Sequence, residues 1–278
     1  MKRVALLVTG ELEQRSLGKS LERLFRETLF ICQRVDAFTT SRVPRDPPSA
    51  GPTPSAIDKC AAALVAAVDP GRKVHGDERF DLAFVIDDLE LANWDQPEVV
   101  GDRFVLAVER HVAETWSAED RRARTRQLLR DRASLHFLVP MTEAYFFADP
   151  DALARVGITA EHHFDPAQTD VEQFETKDPA YLGRLQPEKV KGDSRHPKRY
   201  VRFLLEQSGQ PPYRETRDGV KGLETLDWPR AASWNDDWSR FLRALLCDLA
   251  RGLGDDARRF TGVEHPATAR ASTLLRNM

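Results

Sequence analysis

Short continuous apolar runs punctuate the first half of the chain, and each is followed by carboxylates. Val4-Ala5-Leu6-Leu7-Val8 runs into Thr9-Gly10-Glu11-Leu12-Glu13. Phe84-Val85-Ile86 runs into Asp87-Asp88-Leu89-Glu90. Leu135-His136-Phe137-Leu138-Val139 runs into Pro140-Met141-Thr142-Glu143. Runs of this length, bounded by turn residues, predict strands buried on both faces. Between them the spacing becomes helical. Leu17, Leu21, Leu24, Phe25 and Leu29 predict an amphipathic helix of about four turns. A moderately apolar stretch from Ile31 to Phe38 then predicts a second strand.

The segment from Val43 to Ser55 carries Pro44, Pro47, Pro48, Pro52 and Pro54, which excludes both helix and central strand. Ser55, with Asp58 three residues on, predicts a helix start leading into the Ala-rich run to Val68. A strand is expected over Phe80 to Ile86 and helices over Phe104 to Val112 and Ser117 to Arg132. Another strand covers Leu135 to Val139, and a helical segment begins at Glu143. The alternation predicts an α/β fold with a mostly parallel sheet wrapped by helices. Beyond Asp151 the strand signals fade, leaving helical patterns near Pro197 to Gln207 and Trp238 to Leu253. The expected organisation is an α/β core over residues 1–150 and a mainly helical C-terminal extension over residues 151–278, packed on that core. Trp228, Trp234 and Trp238 are expected to anchor the extension, because aromatics dominate core burial.

With 278 residues the chain can bury a sizeable core, and a net charge of −3 gives it no global pull toward nucleic acid or anionic membrane. Any nucleic-acid contact must come from local basic patches. The three cysteines are far apart and form no CxxC pair, which argues against a zinc ribbon or a disulfide framework and suits a reducing cytosol. The longest apolar stretch, Cys60 to Val68, is too short to span a bilayer. Met1-Lys2-Arg3 leads directly into a strand without a signal-peptide cleavage pattern, so a cytoplasmic location is expected. There is no Walker A motif, nucleophile elbow or dinucleotide fingerprint. His162-His163 reads as loop, since adjacent side chains diverge.

In open α/β sheets, ligands bind beyond the carboxyl ends of the strands. If the three acid-tipped strands are parallel neighbours, their carboxylates share one crevice. Like charges gathered there need a counter-cation, a shared proton or open water. Asp88 and Glu90 are the foremost candidate metal ligands, because alternate residues leaving a strand share a face. Asp87 would then point elsewhere unless the strand has already ended, and Glu143 would close the site. Glu11 or Glu13 is the candidate general acid/base. Pro197 suits a first helical turn, where the cations Lys198 and Arg199 are disfavoured by the helix dipole unless an anion sits there. His196 could donate to the same anion; the alternative is that these side chains extend into solvent. In the basic run of residues 121–132, Arg122, Arg126 and Arg130 fall on one helical stripe, which reads more readily as a solvated face than as a binding surface.

The ordered set of Thr9-Gly10-Glu11-Leu12-Glu13, Asp87-Asp88-Leu89-Glu90, the segment from Glu143 to Asp149, and His196-Pro197-Lys198 resembles a bacterial TOPRIM-like family. That family is related to the nuclease part of overcoming-lysogenization-defect proteins. The resemblance covers roughly residues 1–205. It implies a TOPRIM fold, a magnesium-dependent (or manganese-dependent) phosphodiester active site, and a role in phage or mobile-element defence, often beside an ATPase partner. On this expectation the chain is a nuclease or nuclease-like effector acting on DNA or RNA. The family's first glutamate falls on Thr9 here. That departure supports an alternative, a catalytically degenerate TOPRIM-like interaction protein that docks on an ATPase.

Overall fold

The computed structural model describes residues 1–35, 41–45, 55–70, 79–255 and 273–278. Four strands, β1 (Lys2–Val8), β2 (Thr28–Arg34), β3 (Leu82–Asp88) and β4 (Ala133–Leu138), form one sheet in the order β2-β1-β3-β4. Every neighbouring pair is parallel, with Val4 opposite Phe30 and Leu82, and Ile86 opposite His136. The apolar runs become strands because helices cover both faces, so no polar alternation is needed.

Three connections supply helices α1 (Glu11–Leu24), α2 (Ser55–Val68), α3 (Glu90–Asn93), α4 (Pro97–Thr115) and α5 (Glu119–Arg132). After β4 come α6 (Thr142–Phe146), α7 (Pro150–Val156), α8 (Pro179–Leu182), α9 (Val190–Asp193), α10 (Pro197–Gln207), α11 (Val220–Thr225), α12 (Trp228–Ala232) and α13 (Arg240–Leu253). None of the described helices is long and apolar enough to cross a membrane.

Alternation along the strands sends successive side chains to opposite faces. Ala5, Leu7, Ala83, Val85, Leu135 and Phe137 belong to a core completed by α2, α4 and α5. Val4, Leu6, Val8, Phe84 and Ile86 belong to the other core, which contains α1 and most of the helices after β4. Residues beyond 150 therefore share a hydrophobic core with the sheet itself. Trp228, 1 % exposed, is seated in this core, and its Nε1 donates to Ser20 Oγ of α1 at 2.9 Å.

Several boundaries differ from the sequence reading. The helical spacing from Leu17 continues by coincidence through Leu29, but α1 stops at Leu24 and Leu29 lies in β2, paired with Arg3. That strand starts at Thr28 rather than Ile31. Helix α4 extends beyond the expected segment at both ends, and α3 carries no periodic signal because it has a single turn. Most of the proline-rich segment lies outside the described residues. Its described start is held down: Val43 N donates to Asn93 Oδ1 at 2.8 Å, Gln96 Nε2 donates to Val43 O at 2.7 Å, and the buried Arg103 donates to Pro44 O.

Close helix packing makes one glycine specific. A Cβ at Gly222 in α11 would stand 2.7 Å from Val156 Cγ2 of α7 and 3.2 Å from Phe146 Cζ of α6. Gly222→Ala is expected to lower the unfolding free energy by about 1–3 kcal/mol through overpacking, measured by chemical denaturation. An unchanged midpoint would mean that these helices part freely.

Candidate acidic site at the strand ends

The sheet order makes the connection after β1 leave toward β2 while β3 lies on the opposite side of β1. The carboxyl ends of β1 and β3 therefore flank the topological switch point, where α/β sheets leave a crevice. Asp88 ends β3 on the side of the sheet shared with Phe84 and Ile86, as its parity requires. Asp87 has the opposite parity, is 2 % exposed, and accepts a hydrogen bond from Thr9 Oγ1 at the end of β1.

Two helix starts bring further acids to Asp88. Glu13 lies in the first turn of α1 and is 5 % exposed; Glu143 lies in the first turn of α6 and is 2 % exposed. Thr142 joins the parts. Its backbone N–H donates to Asp88 Oδ1 at 3.0 Å, its hydroxyl lies 3.2 Å from the same oxygen, and that hydroxyl also reaches Glu13 Oε1. From the C-terminal region, Tyr213 donates to Glu143 Oε1 at 3.1 Å. Lys198 Nζ lies 3.9 Å from the same Glu143 oxygen and 2.7 Å from Glu215 Oε1.

Glu90 sits beside this group in a left-handed conformation, φ 60°, with its N–H bonded to Pro140 O at 2.8 Å. A non-glycine residue held there stores strain of about 1–3 kcal/mol, and such residues concentrate at functional sites.

The electrostatics follow from burial and crowding. Burial, with repulsion from Glu13, Glu143, Glu90 and Asp87, holds the Asp88 carboxyl well above the usual carboxylate range. Burial also raises Glu13, against the lowering effect of Thr142 and Lys198. It pushes Glu143 up to about 7 despite Lys198. Glu90 is raised by burial and by Glu143 and Glu215, with Lys198 opposing. Burial draws Lys198 down, but Glu143 and Glu215 together override it, so its ammonium is held more firmly than usual.

These shifts have a measurable consequence. The Glu143 carboxyl titrates near its ordinary 4.5 in the unfolded chain and near 7 in the fold. Its contribution to stability is complete below the first value and is lost as pH rises through the second, at up to about 1.4 kcal/mol per pH unit. Urea midpoints between pH 5 and 7.5 in chelator should fall with pH, and Glu143→Gln should flatten the fall. An unchanged slope in that variant would exclude Glu143 as its source.

Of the sequence candidates, Glu13, Asp88, Glu90, Glu143 and Lys198 come together. Glu11 does not: one turn-position away from Glu13, it is solvent-facing and pairs with Arg15 at 2.5 Å. Arg199 turns away from the acids to pair with Asp193. His196 caps α10, and burial with the nearby Arg199 and Lys198 charges pushes its imidazole down to about 4, so it is neutral at pH 7. The anion called for at the start of α10 is met by the carboxylates Glu215 and Glu143. Tyr213 and Glu215 carry no sequence signal, since they stand in a loop and a short π-helical turn without periodicity.

Among the described residues, no three Asp, Glu, His or Cys groups are placed to clasp a metal directly. The oxygen donors nevertheless suit magnesium, which binds through one or two carboxylates and retains several waters. The crowding that disfavours ionisation of Asp88, Glu13 and Glu143 is what such a cation would relieve. A separate cavity of about 950 Å³ opens where Arg23 and Arg26 face Arg230 and Leu253, apart from this cluster. The chain matches no known protein family model, no curated protein and no solved structure.

Proposed function

We propose that the protein is a TOPRIM-like, magnesium-dependent nuclease or nuclease-like effector acting on nucleic-acid phosphodiesters. The observation that carries this reading is the meeting of Glu13, Asp88 and Glu143, from three distant segments, around one threonine at the sheet's switch point. Perturbed, mutually coupled acids in a crevice mark functional sites. Asp88 and Glu143 would hold magnesium with its waters, and Glu90 stands close enough to orient one of those waters. The bound cation would supply charge neutralisation at the phosphoryl oxygens. Glu13 would take the proton of the attacking water as its oxygen bonds to phosphorus and the bond to the leaving oxygen breaks, that oxygen taking a proton from solvent, and Lys198 would offset the charge building on the phosphodiester. Asp87 orients the end of β1 through Thr9.

The test is cleavage of plasmid, single-stranded DNA and tRNA with Mg²⁺ or Mn²⁺, and its loss in chelator. A role in phage or mobile-element defence predicts reduced plaque counts in cells expressing the native protein but not an Asp88→Asn variant; equal counts would remove that role. The second reading is a degenerate scaffold that docks on an ATPase partner, favoured by Thr9, whose hydroxyl is committed to Asp87. Calorimetry separates the two: heat of Mg²⁺ binding that disappears in Asp88→Asn supports the enzyme, and its absence in folded native protein supports the scaffold.

A further inference from the structure

A second cavity, of about 440 Å³, lies at the opposite rim of the sheet, between the end of α2, the entry to β3 and the outer side of α5. It falls in the size range of small-molecule sites. Its wall is cationic. Arg79, Arg124 and Arg132 line it, and none of the three has a hydrogen-bond or ion-pair partner among the described residues. Asp69, the acid on the wall, is already satisfied: Arg121 donates to one oxygen and Thr125 to the other, both at 2.7 Å. Among the described residues that line the cavity, no other carboxylate faces the three guanidiniums.

The aromatic side of the wall is equally specific. Phe80 and Trp116 border the cavity, and the Arg121 guanidinium lies 4.4 Å from the Trp116 ring centroid. The buried Trp116 Nε1–H has no acceptor among the described residues. A wall combining guanidiniums with aromatic carbon suits a ligand with a phosphate chain at one end and a flat ring at the other.

Helix α5 places two of these arginines, Arg124 and Arg132, on the cavity side. Arg121, Arg124, Leu128 and Arg132 follow one another along the cavity side of α5. On the other stripe, Arg122 and Arg126 are engaged by Glu119 and Glu109, and Arg130 by Gln127. Arg124 and Arg132 are about 12 Å apart along the helix axis, too far for one phosphate to serve both unless their long side chains converge on several phosphoryl oxygens. The cavity and the acidic cluster are separated by the length of the strands, roughly 20 Å. That exceeds the Debye length of about 8 Å at physiological ionic strength, so the carboxylates do not repel an anion bound here.

We propose that this arginine-lined cavity binds the phosphate chain of a nucleoside di- or triphosphate. A cavity of this volume matches a single nucleotide, whereas a strand needs a groove that tracks its backbone.

The experiment is isothermal titration of the full chain with ATP, pyrophosphate and a 5′-phosphorylated oligothymidylate, in chelator so that no hydrolysis enters. ATP is expected to bind, with pyrophosphate at least tenfold weaker. The triple variant Arg79→Ala/Arg124→Ala/Arg132→Ala should lose at least a hundredfold in ATP affinity with little change in melting temperature, because those side chains make no hydrogen bond or ion pair with the described residues. The charge-matched control Arg122→Ala/Arg126→Ala/Arg130→Ala should retain affinity. No ATP binding at millimolar concentration, equal losses in both triple variants, or an oligonucleotide that ATP does not displace would each overturn the proposal. Glu143→Gln should bind ATP normally, so this site stands or falls separately from the nuclease reading.

Discussion

Asp88→Asn is expected to abolish metal-dependent cleavage, with a loss of about 10²–10⁴-fold. The substitution preserves the acceptor that Thr142 N–H meets at 3.0 Å, so the loop after β4 stays in place. It removes the capacity to carry a negative charge, which burial and the neighbouring acids already disfavour at this position and which a bound cation would stabilise. Two further results follow from that geometry. Glu143→Gln should reduce cleavage to a similar extent, and Glu11→Gln should leave it unchanged, since Glu11 faces solvent and pairs with Arg15. Initial rates on a labelled duplex and on a single strand decide the matter. Cleavage that persists in Asp88→Asn and in Glu143→Gln would remove the proposed site.

Trp228→Ala is expected to lower the unfolding free energy by about 3–5 kcal/mol. The indole fills the core on the α1 side of the sheet, and its N–H donates to Ser20 Oγ, so truncation leaves a cavity and removes a buried hydrogen bond, while Ser20 still donates to Leu223 O. The loss should appear as one cooperative transition, because α12, α1 and β1 belong to the same core. A separate early transition, with the sheet intact, would show that the helices after β4 unfold as their own unit. Denaturant curves followed by tryptophan fluorescence and by far-ultraviolet circular dichroism distinguish the outcomes.

The strands were readable because parallel strands covered on both faces leave unbroken apolar runs, as at Val4 to Val8 and Ala133 to Leu138. The position of Asp88 was readable from parity alone, since alternate residues along β3 face alternate cores. Leu29 was not readable: the sequence interval to Phe25 fits a helix, and only pairing with β1 assigns it to β2. Glu11 and Glu13 occupy the same helical turn, and choosing between them requires the rotation of α1 against the sheet, which tertiary packing sets. Tyr213 and Glu215 reach the acids through a long excursion of the chain, and no local pattern announces such a meeting. The partners of the arginine run were not legible for a related reason. Its most regular stripe, Arg122, Arg126 and Arg130, is the one whose partners are supplied by α4 and α5 themselves.

The contributions of Tyr213, Lys198 and Glu215 have a consequence for synthesis. Translation proceeds from the N-terminus at roughly 5–20 residues per second, so a nascent chain exposed only through α6 already possesses Glu13, Asp88 and Glu143. Their lysine counterweight and the tyrosine that steadies Glu143 emerge seconds later. Until then the acids lack the ammonium and the phenol that hold them in register. The growing polypeptide therefore carries three crowded carboxyls without their cationic counterweight, and its charge balance is completed only when residues 198–215 have been added.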